Sequence, residues 1–162
     1  MPSSTLPKHL LEVFASRYAG VATGDDLVHW AVSALDLGLN TRSLRMLAGL
    51  TTPISQDEAD PLFRSSLREL GIEAPTLENL WRPYLTWICT AIEEGRVTPD
   101  EGADRIHSRV VSPLEHPKEL EGWCRLWEGF HPGDSFTPAE GKERDRLIRE
   151  AARDEVVRAG RA

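Results

Sequence analysis

Histidines, cysteines and carboxylates are the side chains here whose types could do chemistry, and their spacing limits what that chemistry is. The five histidines, His9, His29, His107, His116 and His131, form neither an H-E-x-x-H run nor a pair four apart on one helix, and Cys89 and Cys124 do not make a C-x-x-C pair. Those are the spacings that deliver ligands to a metal ion. His107, Glu115, His116, Cys124 and His131 could share a metal only if tertiary folding happened to gather them, so no metal is expected. His116, directly before Pro117, reads most simply as a helix-entry residue.

Covalent and nucleotide chemistry find no better footing. The chain has no nucleophile elbow of the G-x-S-x-G kind, no glycine-rich phosphate loop ending in Lys-Ser or Lys-Thr, and no dinucleotide fingerprint following a strand. Neither cysteine lies beside features that would lower a thiol pKa. No catalytic residue and no cofactor are assigned.

What remains is charge and aromatic surface. Glu93, Glu94, Asp100, Glu101 and Asp104 cluster around one helix-to-helix connection, and Asp57, Glu58 and Asp60 sit at another helix start. Carboxylates in a first helical turn are favoured by the helix dipole, which accounts for most of them. Glu93 and Glu94 fall instead at a helix C-terminus, where the dipole disfavours them, and they carry the expectation of an acidic patch that steers a basic partner. Trp123 and Trp127, four apart on a short helix with Glu119, Glu121, Arg125 and Glu128, read first as core and second as an interface anchor rimmed by charge.

The elements that must position these groups are helices. Apolar residues recur three and four apart, and the breaks between them carry start and stop chemistry. A first helix over Leu6 to Tyr18 presents Leu10, Leu11, Phe14 and Tyr18, and a second, after Thr23-Gly24-Asp25-Asp26, presents Leu27, Trp30, Ala31, Ala34 and Leu35. A short third carries Leu44, Leu47 and Ala48. The fourth opens at Ser55-Gln56-Asp57-Glu58, or at Asp60 with Pro61 in the first helical position, and turns Phe63, Leu67 and Leu70 inward.

The fifth helix, Thr76 to about Glu94, is apolar over most of its circumference and is expected at the centre of the fold. Asn79, Arg82, Pro83, Thr86, Thr90 and Glu93 make its polar stripe. Thr98-Pro99-Asp100-Glu101 and Thr137-Pro138-Ala139-Glu140 repeat one start signal, a capping threonine, proline at the first position and a glutamate closing the box. They open the sixth and last helices, with a helix entered through His116-Pro117 between them. No stretch alternates at the strand period. The expected fold is all-α: a compact single-domain orthogonal or antiparallel bundle of about seven or eight helices spanning 1–162, with no sheet and a charged C-terminal helix over 137–162 whose end frays.

Composition narrows the partner. The chain carries 19 basic and 26 acidic side chains, a net charge of -7 and a sequence pI near 5.2, and residues 1–139 hold 12 of the bases against 20 of the acids. That balance argues against a nucleic-acid backbone as partner. Leu44 to Leu50 followed by a new helix has the outline of a helix-turn-helix, yet the second helix would begin with Asp57, Glu58 and Asp60, which phosphates repel. No apolar run is long enough to span a bilayer and the N-terminus lacks signal-peptide character, so a cytoplasmic protein with two buried thiols is expected. Two functional readings follow. The first is a non-enzymatic protein-binding module, most specifically an inhibitor or immunity-like protein using an acidic surface; the second is a small helical enzyme or ligand-binding bundle with its site on the polar stripe of the fifth helix.

Overall fold

The computed structural model describes residues 8–129 and 137–161, and 74% of them are helical, with no strand. The start of the first helix at Leu6 and the histidine His131 lie outside the described residues. Contacts gather into two compact units, Met1–Thr76 and Leu77–Ala162.

The first unit is built from α1 (Lys8–Tyr18), α2 (Gly24–Asp36), α3 (Arg42–Ala48) and α4 (Gln56–Glu69). Thr23 and Asp26 close a capping box at the start of α2, and Ser55 and Glu58 close another at α4. The Ser55 box puts the α4 start at Gln56, so Pro61 lies inside the helix rather than at its first position. Phe63 is the hub. Phe14 and Trp30 meet its ring edge-on at 5.9 and 4.9 Å, the Arg17 guanidinium lies 5.0 Å from its centre, and Asp60 pairs with both Arg17 and Arg64. Tyr18, expected inward, is 40% exposed, because its hydroxyl donates to the Pro75 carbonyl instead of entering the core.

Residues 49–55 connect α3 to α4, longer than the three- or four-residue turn of a DNA-binding helix pair. That connection is fixed at both ends. Asp25 accepts the Ile54 amide at 2.8 Å, and Gly24 lies so close to this backbone that a Cβ there would stand 2.4 Å from the Ile54 carbonyl oxygen. Glu69 reaches from the end of α4 to the start of α3, accepting the Ser43 amide at 3.0 Å and its hydroxyl at 2.6 Å. Those bonds hold the Glu69 carboxyl below its ordinary pKa.

The second unit contains α5 (Leu77–Glu93), α6 (Pro99–Ile106), a π-helical turn (His107–Val111), a short 3-10 turn (Lys118–Leu120), α7 (Glu121–Glu128) and α8 (Pro138–Gly160). α5, expected at the centre of the whole fold, is the core helix of this unit: Leu80, Tyr84, Leu85, Ile88, Cys89, Ala91 and Ile92 are all buried. Its two tryptophans are not. Trp81 and Trp87 are half-buried, the first with Arg82 lying 4.2 Å over its ring. α8 contributes Ile148 and Ala152, one turn apart, to this core, while Leu147, Ala151 and Val156 are only partly covered. Cys89 is buried, and burial pushes its thiol pKa up; Cys124 is only half-buried.

Candidate interaction surface

The five acidic candidates all belong to the second unit, at the end of α5 and along α6. Gly95, at a φ of 71°, turns the chain out of α5, and Thr98 starts α6 by accepting the Glu101 amide. The two helices then approach so closely that a Cβ at Gly102 would stand 2.4 Å from the Ile92 side chain. With Pro99, Gly102, Ala103 and Ile106 turned inward, Asp100, Glu101 and Asp104 necessarily face out.

Each carboxylate has a partner in its own unit. Glu93 receives Arg153 of α8 at 3.1 Å, and Glu94 pairs with Arg96 at 2.6 Å. Asp100 pairs with Arg144 at 2.5 Å and Glu101 with Arg105 one turn on. Asp104 accepts the Trp127 indole N–H at 3.4 Å. Arg149 meanwhile donates to the Ile92 carbonyl at 3.2 Å, which also accepts the Gly95 amide where the helix ends. The unfavourable siting of Glu93 and Glu94 thus has an intramolecular account: arginines of the 96–153 stretch neutralise both. Glu94 is well exposed at 54%, whereas three quarters of the Glu93 side chain is covered.

The tryptophan pair divides. Trp123 is 7% exposed and belongs to the core. Trp127 stays half-buried, its ring lying flat on His107 with centres 3.5 Å apart and planes 3° from parallel. His116 stands on the other connection, its ring centre 5.8 Å from that of His107. The pair is assembled by irregular backbone. His107 opens the π-helical turn, whose extra residue lets both Val110 and Val111 be buried, and Glu115 and His116 both adopt left-handed φ values, 57° and 60°. Such backbone costs a non-glycine residue roughly 1–2 kcal/mol, and π-turns of this length recur at functional positions. The His107 pKa is lowered, first by burial and then by His116, against the opposing pull of Asp104 and Glu128.

Among the described residues no three His, Cys, Asp or Glu side chains gather as a metal site, so His107, Glu115, His116 and Cys124 do not converge on one. The Cys124 thiol donates to Glu128 at 3.3 Å, and burial followed by that carboxylate raises its pKa, the opposite of nucleophile activation. On α5, Thr90 donates its hydroxyl to the Thr86 carbonyl at 2.8 Å, which spends this part of the polar stripe on its own helix. Two open cavities of about 480 and 390 Å³ are lined by first-unit residues, the larger by Arg17, Gln56, Asp57, Asp60, Pro61 and Arg64.

Sequence reasoning weighed His107 only as a metal-ligand candidate and missed its stack on Trp127. Its signal was the spacing Ile106, Val110, Val111, which puts two adjacent apolar residues where a regular helix buries one. The arrangement is an exposed acidic face on α6, joined through Asp104 to the half-covered Trp127. No family model, curated protein or solved structure matches the chain.

Proposed function

We propose that this chain is a non-enzymatic protein-binding module, in its most specific form an inhibitor or immunity-like protein, that takes a basic partner on the α6 face of its second unit. The hydrogen bond between Asp104 and the Trp127 indole carries this reading, because it makes the carboxylates of α6 and an aromatic edge one continuous surface. Aromatic anchors with charged rims are the usual composition of binding hot spots. The second unit holds 17 acidic and 13 basic side chains, a sign that attracts a basic protein and repels phosphate backbones. Pairing with arginines does not disable the patch. Exposed ion pairs are worth about 0–1 kcal/mol each, so lysines and arginines of a partner can replace them at little cost.

The test is kinetic. With the basic partner recovered by crosslinking, the association rate of parent and of the Asp100→Lys, Asp104→Lys double variant is measured at low and high ionic strength. A roughly tenfold or larger slowing at low salt that shrinks at high salt is the expected result. Equal rates at low salt overturn the acidic-face reading. Glu94→Lys adds to the slowing; Glu93→Lys and Asp100→Lys each also set two cations against each other, at Arg153 and at Arg144, so Asp104→Lys measured alone is the cleanest arm.

A further inference from the structure

The same face contains a device that the binding reading does not use. The ring of His107, at the start of the π-helical turn, lies beside that of His116, in the turn over residues 112–117, with centres 5.8 Å apart. His107 lies in the π-helical turn, flat against Trp127, whose indole is tied to Asp104. His116 is exposed, and its backbone is held in a left-handed conformation by one bond, from its amide to the Val111 carbonyl at 2.9 Å. The preceding Glu115 is also left-handed, and its amide is held by the Ser112 carbonyl.

We propose that the His107–His116 pair is a pH-sensitive latch: a second proton on the pair swings the 112–117 turn off the His107–Trp127 stack. The charged groups that face His107 are His116 from the turn, Asp104 from α6 and Glu128 from α7; His116 faces His107 and has Glu115 and Lys118 beside it in the chain. Asp104 and Glu128 favour an imidazolium at His107, and so does the indole face, which attracts a cation. Repulsion is therefore relieved on the other side, where His116 is exposed and its backbone strained. The sign follows from the geometry: two imidazoliums whose ring centres stand 5.8 Å apart repel, and His116 is one cause of the lowered His107 pKa. The closed turn binds fewer protons than the open one, so closure is favoured above the ordinary histidine range and lost as pH falls through it. Opening uncovers the His107 ring on the acidic face; this rests on the binding reading for its consequence but not for its existence.

The experiment uses the free, full-length chain, so its outcome is independent of whether any partner binds. Histidine ring and backbone amide resonances are followed by NMR between about pH 7.5 and about pH 5, the span over which histidines titrate. The expected result is that the amides of Glu115 and His116 and the Trp127 indole N–H shift together with the His107 midpoint, and that the His116 amide loses hydrogen-exchange protection at the acid end. His116→Asn keeps a residue that tolerates left-handed backbone and removes the charge; it should raise the His107 midpoint and leave the turn closed throughout. His116→Lys, a permanent cation, should lower the His107 midpoint and leave turn opening tied to protonation of His107 alone. Far-ultraviolet CD on each variant separates turn opening from global unfolding. Turn amides that ignore pH in the parent, or a His107 midpoint unchanged in His116→Asn, overturn the latch.

Discussion

In the first unit the polar side chains that reach across the structure serve architecture. Asp25 holds the Ile54 amide, Glu69 starts α3 through Ser43, and Asp60, 14% exposed, ties Arg17 to Arg64 beside the Phe63 ring. In the second unit the corresponding carboxylates lie at the rim: Asp100 is 66% exposed, Glu101 50% and Glu94 54%, and of their arginines Arg144, facing Asp100, is the most covered at 11%. The second unit also holds the π-turn and, among the described residues, both left-handed non-glycine positions, Glu115 and His116. Charges committed to the fold cannot change partners without cost, whereas rim charges can. The difference locates the more exchangeable chemistry in the second unit.

The comparison breaks most severely at the two hubs, which should behave alike despite their different surfaces. Phe63→Ala in the first unit should cost about 3–5 kcal/mol and Ile88→Ala in the second about 2–5 kcal/mol, since both side chains are fully buried and their removal leaves cavities. Trp81→Ala should cost less than a buried aromatic normally does, because Trp81 is only half-covered, with the Arg82 guanidinium over its ring. Urea denaturation of the three variants checks this. A Trp81→Ala loss equal to that of Ile88→Ala would restore Trp81 to the core.

The charged groups should then separate the units. Asp60→Ala strands the Arg17 guanidinium, 17% exposed, without its carboxylate and should cost roughly 1–3 kcal/mol. Glu101→Ala, which removes only an exposed helical pair with Arg105, should cost under about 0.5 kcal/mol. Equal losses at the two positions would abolish the distinction between architectural and exchangeable charge.

These contrasts were only partly legible in the sequence. The centrality of α5 in its unit was, because an apolar surface that wide has to be covered, and so were the starts at Thr98 and Thr137, where the cap chemistry is local. Which face of α8 is buried was blurred by its many charges, and the structure chose Ile148 and Ala152. Trp123 and Trp127 could not be told apart by spacing, since the difference between 7% exposure and a stack on His107 depends on where the π-turn places that ring. The arginine partners of Glu93 and Asp100 come from residues 153 and 144, separations at which no periodicity argument operates.

The smallest expected effect concerns acid, and it again sets one unit against the other. Each unit contains a histidine with a lowered pKa: His9, where burial is the cause and Nε2 is buried with no hydrogen-bond partner, and His107, where His116 adds to burial. A lowered folded-state pKa means that the unfolded chain takes up a proton first. Stability should therefore be highest above the ordinary histidine range and decline as pH falls through it toward the lowered values. His9→Gln should flatten the part of this decline that comes from burial alone, while His116→Asn should flatten only the part that His116 imposes on His107. Thermal melts of the parent and both variants at about pH 7.5 and about pH 5.5 read the two contributions separately. A parent that is more stable at the acid end would show that Asp104 and Glu128 outweigh burial and His116 at His107, and would move the protonated histidine from the liabilities of the second unit to its supports.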